Sequence, residues 1–241
     1  YKDAAQRSFK QAAVYLEGRK TRNTRDARAM ARGSKFGKRV HEESWQNAEV
    51  DALYKLDAAG VRVPKPYGCF DNVLLMELVT DDEGQAAPRL CELVFSEEEA
   101  IELHHELIQE VVRMLCAGVV HGDLSEYNIL MDPYGPVIID LPQAVDAAGN
   151  PHAKAMLLRD VQNLRDFFGQ FAPALKDTRY GLEIWDLYED GKLMPDSVLT
   201  GEAEEDLHEA DLISVLREIE DARREEEARL ARLHASDEDD D

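Results

Sequence analysis

Residues 121–140, HGDLSEYNILMDPYGPVIID, constrain the fold more than any other stretch of the chain. The runs NILMD and PVIID are short and apolar and are joined by DPYG, so the segment predicts two buried strands connected by a tight turn. Three polar side chains stand at the ends of these runs. Asp123 and Asn128 lie five residues apart, and Asp140 terminates the second strand. Acids so close to buried segments are costly unless they have partners. An Asn amide and a carboxylate are hard oxygen ligands suited to magnesium on nucleotide phosphates. A third acid beside them can accept a proton or orient a nucleophile.

The flanking sequence supplies a scaffold for such a site. Ser96 and Glu99 form an S-x-x-E capping box. It opens a helix whose buried face is Ile101, Leu107, Ile108, Val111, Val112 and Leu115, and Gly118 ends it. Upstream, ESWQNAEVDALYKLDAAG predicts a helix from the spacing of Trp45, Ala48, Ala52, Leu53 and Leu56, with Gly60 as its stop. Glu49 falls in the middle of that apolar stripe. It either snorkels at the edge or is held buried for a cationic partner. VRVPKP predicts an extended entry into an apolar strand from Val73 to Val79, and the polar TDDEGQAAPRL is the expected lobe boundary. Two amphipathic helices follow, in AKAMLLRDVQNLRDFFGQF and TRYGLEIWDLYEDG. A last helix is expected from about Glu204 to Leu233, then a solvated acidic tail. His104 and His105 lack a third ligand at metal spacing, so packing is favoured over zinc.

Composition bears on compartment and partners. No run of eighteen apolar residues occurs and the first residues lack a signal-peptide core. The expectation is therefore a cytoplasmic protein without a membrane partner. Cys69, Cys91 and Cys116 fit no C-x-x-C spacing and are expected to be reduced, mostly buried thiols. The formal charge of −22 is uneven: residues 1–40 carry 12 Lys and Arg against 3 Asp and Glu, whereas the remainder is strongly acidic. That basic arm, with Arg19, Lys20, Arg22, Arg25, Arg28 and Arg32, could neutralise the phosphates of RNA, lie near a nucleotide, or lie against the acidic body.

The H-x-D-x-x-x-x-N spacing is that of the protein-kinase catalytic loop, and the following strand that ends in Asp is where such enzymes hold a second metal ligand. HGDLSEYNIL with IIDLPQAV resembles the RIO family of atypical serine/threonine protein kinases, and DLPQAVDAAGN looks most like its bacterial members. The resemblance covers nearly all of residues 1–200 and includes the GRKTRNTRDARAMA arm and GVRVPKPYG. It implies an α+β, two-lobed, kinase-like fold with an incomplete N-lobe and a mostly helical C-lobe. The expected division is a partial N-lobe with the basic arm over 1–80, a C-lobe over 81–200, and a C-terminal helix and acidic tail over 201–241. The implied cofactors are ATP and Mg2+, and the implied partner is a protein substrate that the sequence does not identify.

Position by position, the resemblance makes Asp123 the catalytic aspartate and makes Asn128 and Asp140 the metal ligands. Asp140 is also a possible phosphoryl acceptor, forming an aspartyl-phosphate in an ATPase cycle. Glu49 matches the helix glutamate that pairs with an ATP-orienting lysine, Met76 the gatekeeper, and Glu77 to Val79 the hinge that meets adenine. Ser125 is expected to touch phosphate or a neighbouring loop. The family's Gly-rich loop and strand lysine would precede Tyr1, so weak ATP binding is expected of this chain by itself. Departures from ordinary kinases are Gly122 in place of the loop arginine, DLPQ in place of DFG, and no APE. A small-molecule phosphotransferase of the aminoglycoside or choline kinase type shares HGD…N but usually continues IDW or IDF. A non-catalytic, ATP-switched RNA-binding or ribosome-assembly factor is the reading from another class.

Overall fold

The computed structural model describes residues 49–70 and 73–203. The basic arm, Trp45, Ala48 and the expected C-terminal helix and tail lie outside these residues. Within them, helix α1 spans 49–58 and ends at Gly60, which takes φ +74°. That left-handed turn is easy for glycine. Strands β1 (Pro66–Phe70) and β2 (Val73–Met76) pair antiparallel. Helix α2 (Glu97–Cys116) opens on the expected capping box, with the Ser96 side chain accepting from the Glu99 N–H and the Glu99 carboxylate accepting from the Ser96 N–H. Then come β3 (Val119–Val120), β4 (Ile129–Asp132), β5 (Gly135–Ile138) and β6 (Val145–Asp146), with β3 pairing β6 and β4 pairing β5, both antiparallel. Helices α3 (Ala153–Phe168) and α4 (Tyr180–Glu189) complete the order.

The core lies where α2, α3 and α4 meet. Leu107, Ile108 and Leu115 of α2, Leu164 and Phe168 of α3, and Ile184 of α4 are fully buried there. His104 is buried in the same layer, with the rings of Phe168 and Tyr180 at centroid distances of 5.8 and 5.6 Å. Its neighbour His105 instead reaches the Tyr180 hydroxyl at 2.9 Å. Among the described residues no helix is long and apolar enough to cross a membrane.

Two expectations are corrected. The strand expected over 73–79 stops at Met76, and Val73, Leu75 and Met76 are exposed. Its partner at that end is Pro66, which has no N–H to donate, and the register shifts between Pro66 and Gly68. The cysteines are free but not mostly buried: Cys69 and Cys116 are exposed and Cys91 is half-buried. Cys69 lies on the little-covered β1, and Cys116 is the last residue of α2. The polar connector is itself ordered. The Asp81 carboxylate accepts from the Glu83 and Gln85 amides, and the Ala87 N–H returns to the Val79 carbonyl.

Candidate functional site

The loop from His121 to Asn128 crosses between β3 and β4, and both its ends are fastened to Ile139, the residue just past β5. The Ile139 N–H donates to the Asn128 carbonyl at 3.0 Å, and His121 Nε2 meets the Ile139 carbonyl at 3.0 Å. His121 Nδ1 accepts from the Asp123 N–H at 3.3 Å, which leaves the ring proton on Nε2 as the donor to Ile139. The next residue is Asp140, so the loop carrying Asp123 and Asn128 is held against the backbone that carries the other acid.

Each side chain has a local reason for its position. The Asn128 Nδ2 donates to the Asp123 carbonyl at 2.8 Å, so its Oδ1, the atom a hard cation needs, sits on the other arm of the amide. Asp140 is exposed and has φ 67°, making it the one non-glycine with positive φ among the described residues. Asp tolerates this region better than most residues, and such strain concentrates at functional sites. One Asp123 carboxylate oxygen, Oδ2, accepts from Gln143 Nε2 at 2.9 Å. The donor set of an amide oxygen and a carboxylate fits magnesium. Ser125 is half-buried, and its carbonyl accepts from the Asn128 N–H, which tightens the loop.

Beneath the loop lies an anchor that the sequence reading missed. Asp160 of α3 is buried, and its carboxylate accepts from the Gly122 N–H at 2.8 Å and the Leu124 N–H at 3.0 Å. Arg159 donates to the Gly122 carbonyl and lies 4.0 Å from Asp160, while Asn163 Nδ2 holds the Leu124 carbonyl at 3.0 Å. Gly122, with φ 79°, makes the turn that lets both carboxylate oxygens of Asp160 reach main-chain amides. A signal was present: Leu157, Asp160, Val161 and Leu164 share one helical face, so Asp160 interrupts an apolar stripe as Glu49 does.

The hinge candidates sit at the base of the β1–β2 pair. Met76 is the last residue of β2, and Glu77 donates its N–H to the Lys65 carbonyl at 2.9 Å. Val79 is buried, and its carbonyl is taken by Ala87. Among the described residues neither the Glu77 carbonyl nor the Val79 N–H has a backbone partner. An acceptor and a donor on one extended segment suit the edge of a planar base. Glu49 is half-buried on α1. A cavity of about 440 Å³ reaches Glu77 and Val79, and its other lining residues include Arg62, Asp81, Asp132 and Tyr134 but not Asp123, Asn128 or Asp140.

Burial sets the protonation of the supporting groups. It lowers both His104 and His121 to about 4, and it raises Asp160 to about 7 against the opposing pull of Arg159 and the two amides. The histidines are depressed, so the unfolded chain takes up their protons first as pH falls through 6.5, and stability falls until about pH 4. Asp160 acts with the opposite sign over pH 7 to 4, because the folded state binds its proton first. Two groups against one leave a net loss of stability from these residues, on the order of 1 kcal/mol per pH unit, as pH falls from 6.5 to 4. Urea unfolding at pH 6.5 and 5 measures the slope, and His104→Leu removes one histidine's share. An unchanged slope in that variant overturns the assignment.

Residues 2–180 match the family model described as RIO domain. The chain is 40% identical over 187 residues to a RIO-type serine/threonine-protein kinase Rio1 of Haloferax volcanii, covering 76% of this chain and 59% of that protein. It is 36% identical over 138 residues to the human serine/threonine-protein kinase RIO1, covering 57% of this chain and 24% of the human protein. A Rio1 kinase of Thermoplasma acidophilum is 37% identical over 124 residues, covering 52% of this chain and 63% of that protein. The chain thus spans less than two-thirds of the length of these relatives.

Proposed function

The chain belongs to the RIO domain family, and from that premise we propose that it is an ATP- and Mg2+-dependent phosphotransferase of the serine/threonine kinase or ATPase type. The observation that carries the reading is the double fastening of the HGDLSEYN loop to Ile139. It holds Asp123, Asn128 and Asp140 on adjoining backbone.

In this reading Asp123 orients the attacking hydroxyl and takes its proton as the oxygen bonds to the γ-phosphorus and the bond to the ADP oxygen breaks. Gln143 keeps the carboxylate in one orientation through its 2.9 Å hydrogen bond. Asn128 and Asp140 are the residues that would hold magnesium, which when bound offsets charge on the phosphate oxygens. The Glu77 carbonyl and the Val79 N–H, below Met76, would receive adenine, and Glu49 would orient the cation that grips the phosphates. In the ATPase form the Asp140 carboxylate itself attacks the γ-phosphorus, ADP leaves, and water later cleaves the acyl phosphate. The basic arm of residues 1–40 would offer its arginines to RNA or to a ribosomal partner.

Labelled ATP separates the two forms. Acid-stable label on an added protein marks a serine/threonine kinase. Alkali- and hydroxylamine-labile label on the chain itself, absent in Asp140→Asn, marks the aspartyl-phosphate cycle. No transfer to protein, to Asp140 or to water in the presence of Mg2+ overturns the proposal.

A further inference from the structure

The reaction just described makes no use of Arg62, yet the fold fastens this residue three ways. Its N–H donates to Glu110 Oε2 of α2 at 3.0 Å. Its carbonyl accepts from the Ile138 N–H of β5 at 2.8 Å. Its guanidinium donates to Asp132 Oδ2, at the end of β4, at 2.6 Å. Arg62 follows directly on Gly60 and Val61, which close α1, and the Val61 N–H bonds back to the Leu56 carbonyl. One residue therefore connects the helix of Glu49, the strand that starts after Asn128, and the strand that ends before Asp140.

Two features of the tie exceed what packing of the loop requires. Val61 and Val63, on either side of Arg62, are buried and already hold the segment by apolar contact. Glu110 is nevertheless kept in the interior, where burial raises its pKa, with its oxygens committed to the Arg62 N–H and, at 2.5 Å, to Arg113. A buried carboxylate is a weak source of stability but a strong constraint on position. At the β4–β5 turn, Gly135 has φ +126°, and a Cβ there would come within 3.1 Å of Arg62 Nη1 and Glu106 Oε2. The turn is thus shaped to admit the guanidinium.

Resting on the phosphotransferase reading, we propose that Arg62 is a positioning residue: it fixes the Glu49 helix relative to the β4–β5 pair and so sets the geometry in which Asn128 and Asp140 meet the metal–nucleotide. Asp132 and Glu110 are its two side-chain partners. The role differs from that of Asp160, which anchors the Gly122 and Leu124 amides of the loop.

The test compares Arg62→Met, which keeps the apolar stem and removes the guanidinium, with Arg62→Lys, which retains a cation for Asp132. Nucleotide affinity is titrated with ATP plus Mg2+ and with ATP plus EDTA. Arg62→Met is expected to weaken the Mg2+-dependent affinity about tenfold while leaving metal-free binding and Tm nearly unchanged, and Arg62→Lys is expected to recover much of the loss. Hydrogen exchange supplies a readout independent of nucleotide: the Ile138 and Ile139 amides should exchange faster in Arg62→Met, with the buried Leu164 amide of α3 unaffected. Equal loss in both titrations, or unchanged exchange at Ile138 and Ile139, overturns the proposal. If the unsubstituted chain shows no Mg2+-dependent binding while exchange responds as expected, the functional reading has failed and the mechanical tie stands without a catalytic role.

Discussion

Asp123→Asn is expected to lower the rate of phosphoryl transfer by about 10²–10⁴-fold, the usual contribution of a positioned acid or base. The substitution keeps the side chain's size but cannot accept the proton of an attacking hydroxyl. It also turns a carboxylate that accepts from Gln143 into an amide that must present its oxygen to keep that bond. The backbone of the loop should hold, because its bonds run through main-chain atoms: Asp123 N–H to His121 and Asp123 C=O to Asn128. Nucleotide affinity should therefore change little, since the candidate hinge and the candidate metal ligands are untouched. Single-turnover transfer measured beside nucleotide binding separates the two quantities. A variant that transfers phosphate at the original rate removes Asp123 from the chemistry.

The largest expected effect on stability comes from Asp160→Ala, at about 3–5 kcal/mol, the cost of breaking a buried charged pair from one side. The variant strands the Gly122 and Leu124 amides in a buried environment and leaves Arg159, only 3% exposed, without the carboxylate 4.0 Å away. Each stranded amide alone costs roughly 1–3 kcal/mol. Asp160→Asn should cost less, because its one amide oxygen can still accept from one of the two N–H groups. Urea unfolding of the three proteins gives the order, and an Asp160→Ala variant within about 1 kcal/mol of the original would show that the loop does not depend on this anchor. Transfer activity should fall with Asp160→Ala even under conditions where the chain is folded, since the lost bonds flank Asp123 directly.

Much of the fold near the site was legible locally. The β4–β5 hairpin follows from two apolar runs around DPYG, and the start of α2 follows from Ser96 and Glu99, because turn and cap chemistry act over four residues. The extent of β2 was not legible. Its end depends on Pro66, a partner from another strand that cannot donate a hydrogen bond. Cysteine exposure was equally out of reach, since Cys69 and Cys116 are ordinary small apolar residues until the surfaces that do or do not cover them are known. Asp160 could have been found by its place on an apolar stripe. What it binds could not, because Gly122 and Leu124 are 38 and 36 residues away.

By itself the sequence determined the types of groups and their spacing: an aspartate, an asparagine five residues on, and a second aspartate twelve residues later, which the structure places just past β5. Those groups are hard oxygen donors of the kind that suits magnesium on phosphates. Only the tertiary structure decided that the loop carrying Asp123 and Asn128 is fastened to the backbone beside Asp140. The bonds from His121 and Asn128 to Ile139, the left-handed backbone of Asp140, and the ties of Asp160 and Arg62 are all contacts between distant segments. Their geometry depends on where helices α1, α2 and α3 pack, which spacing along the chain does not encode.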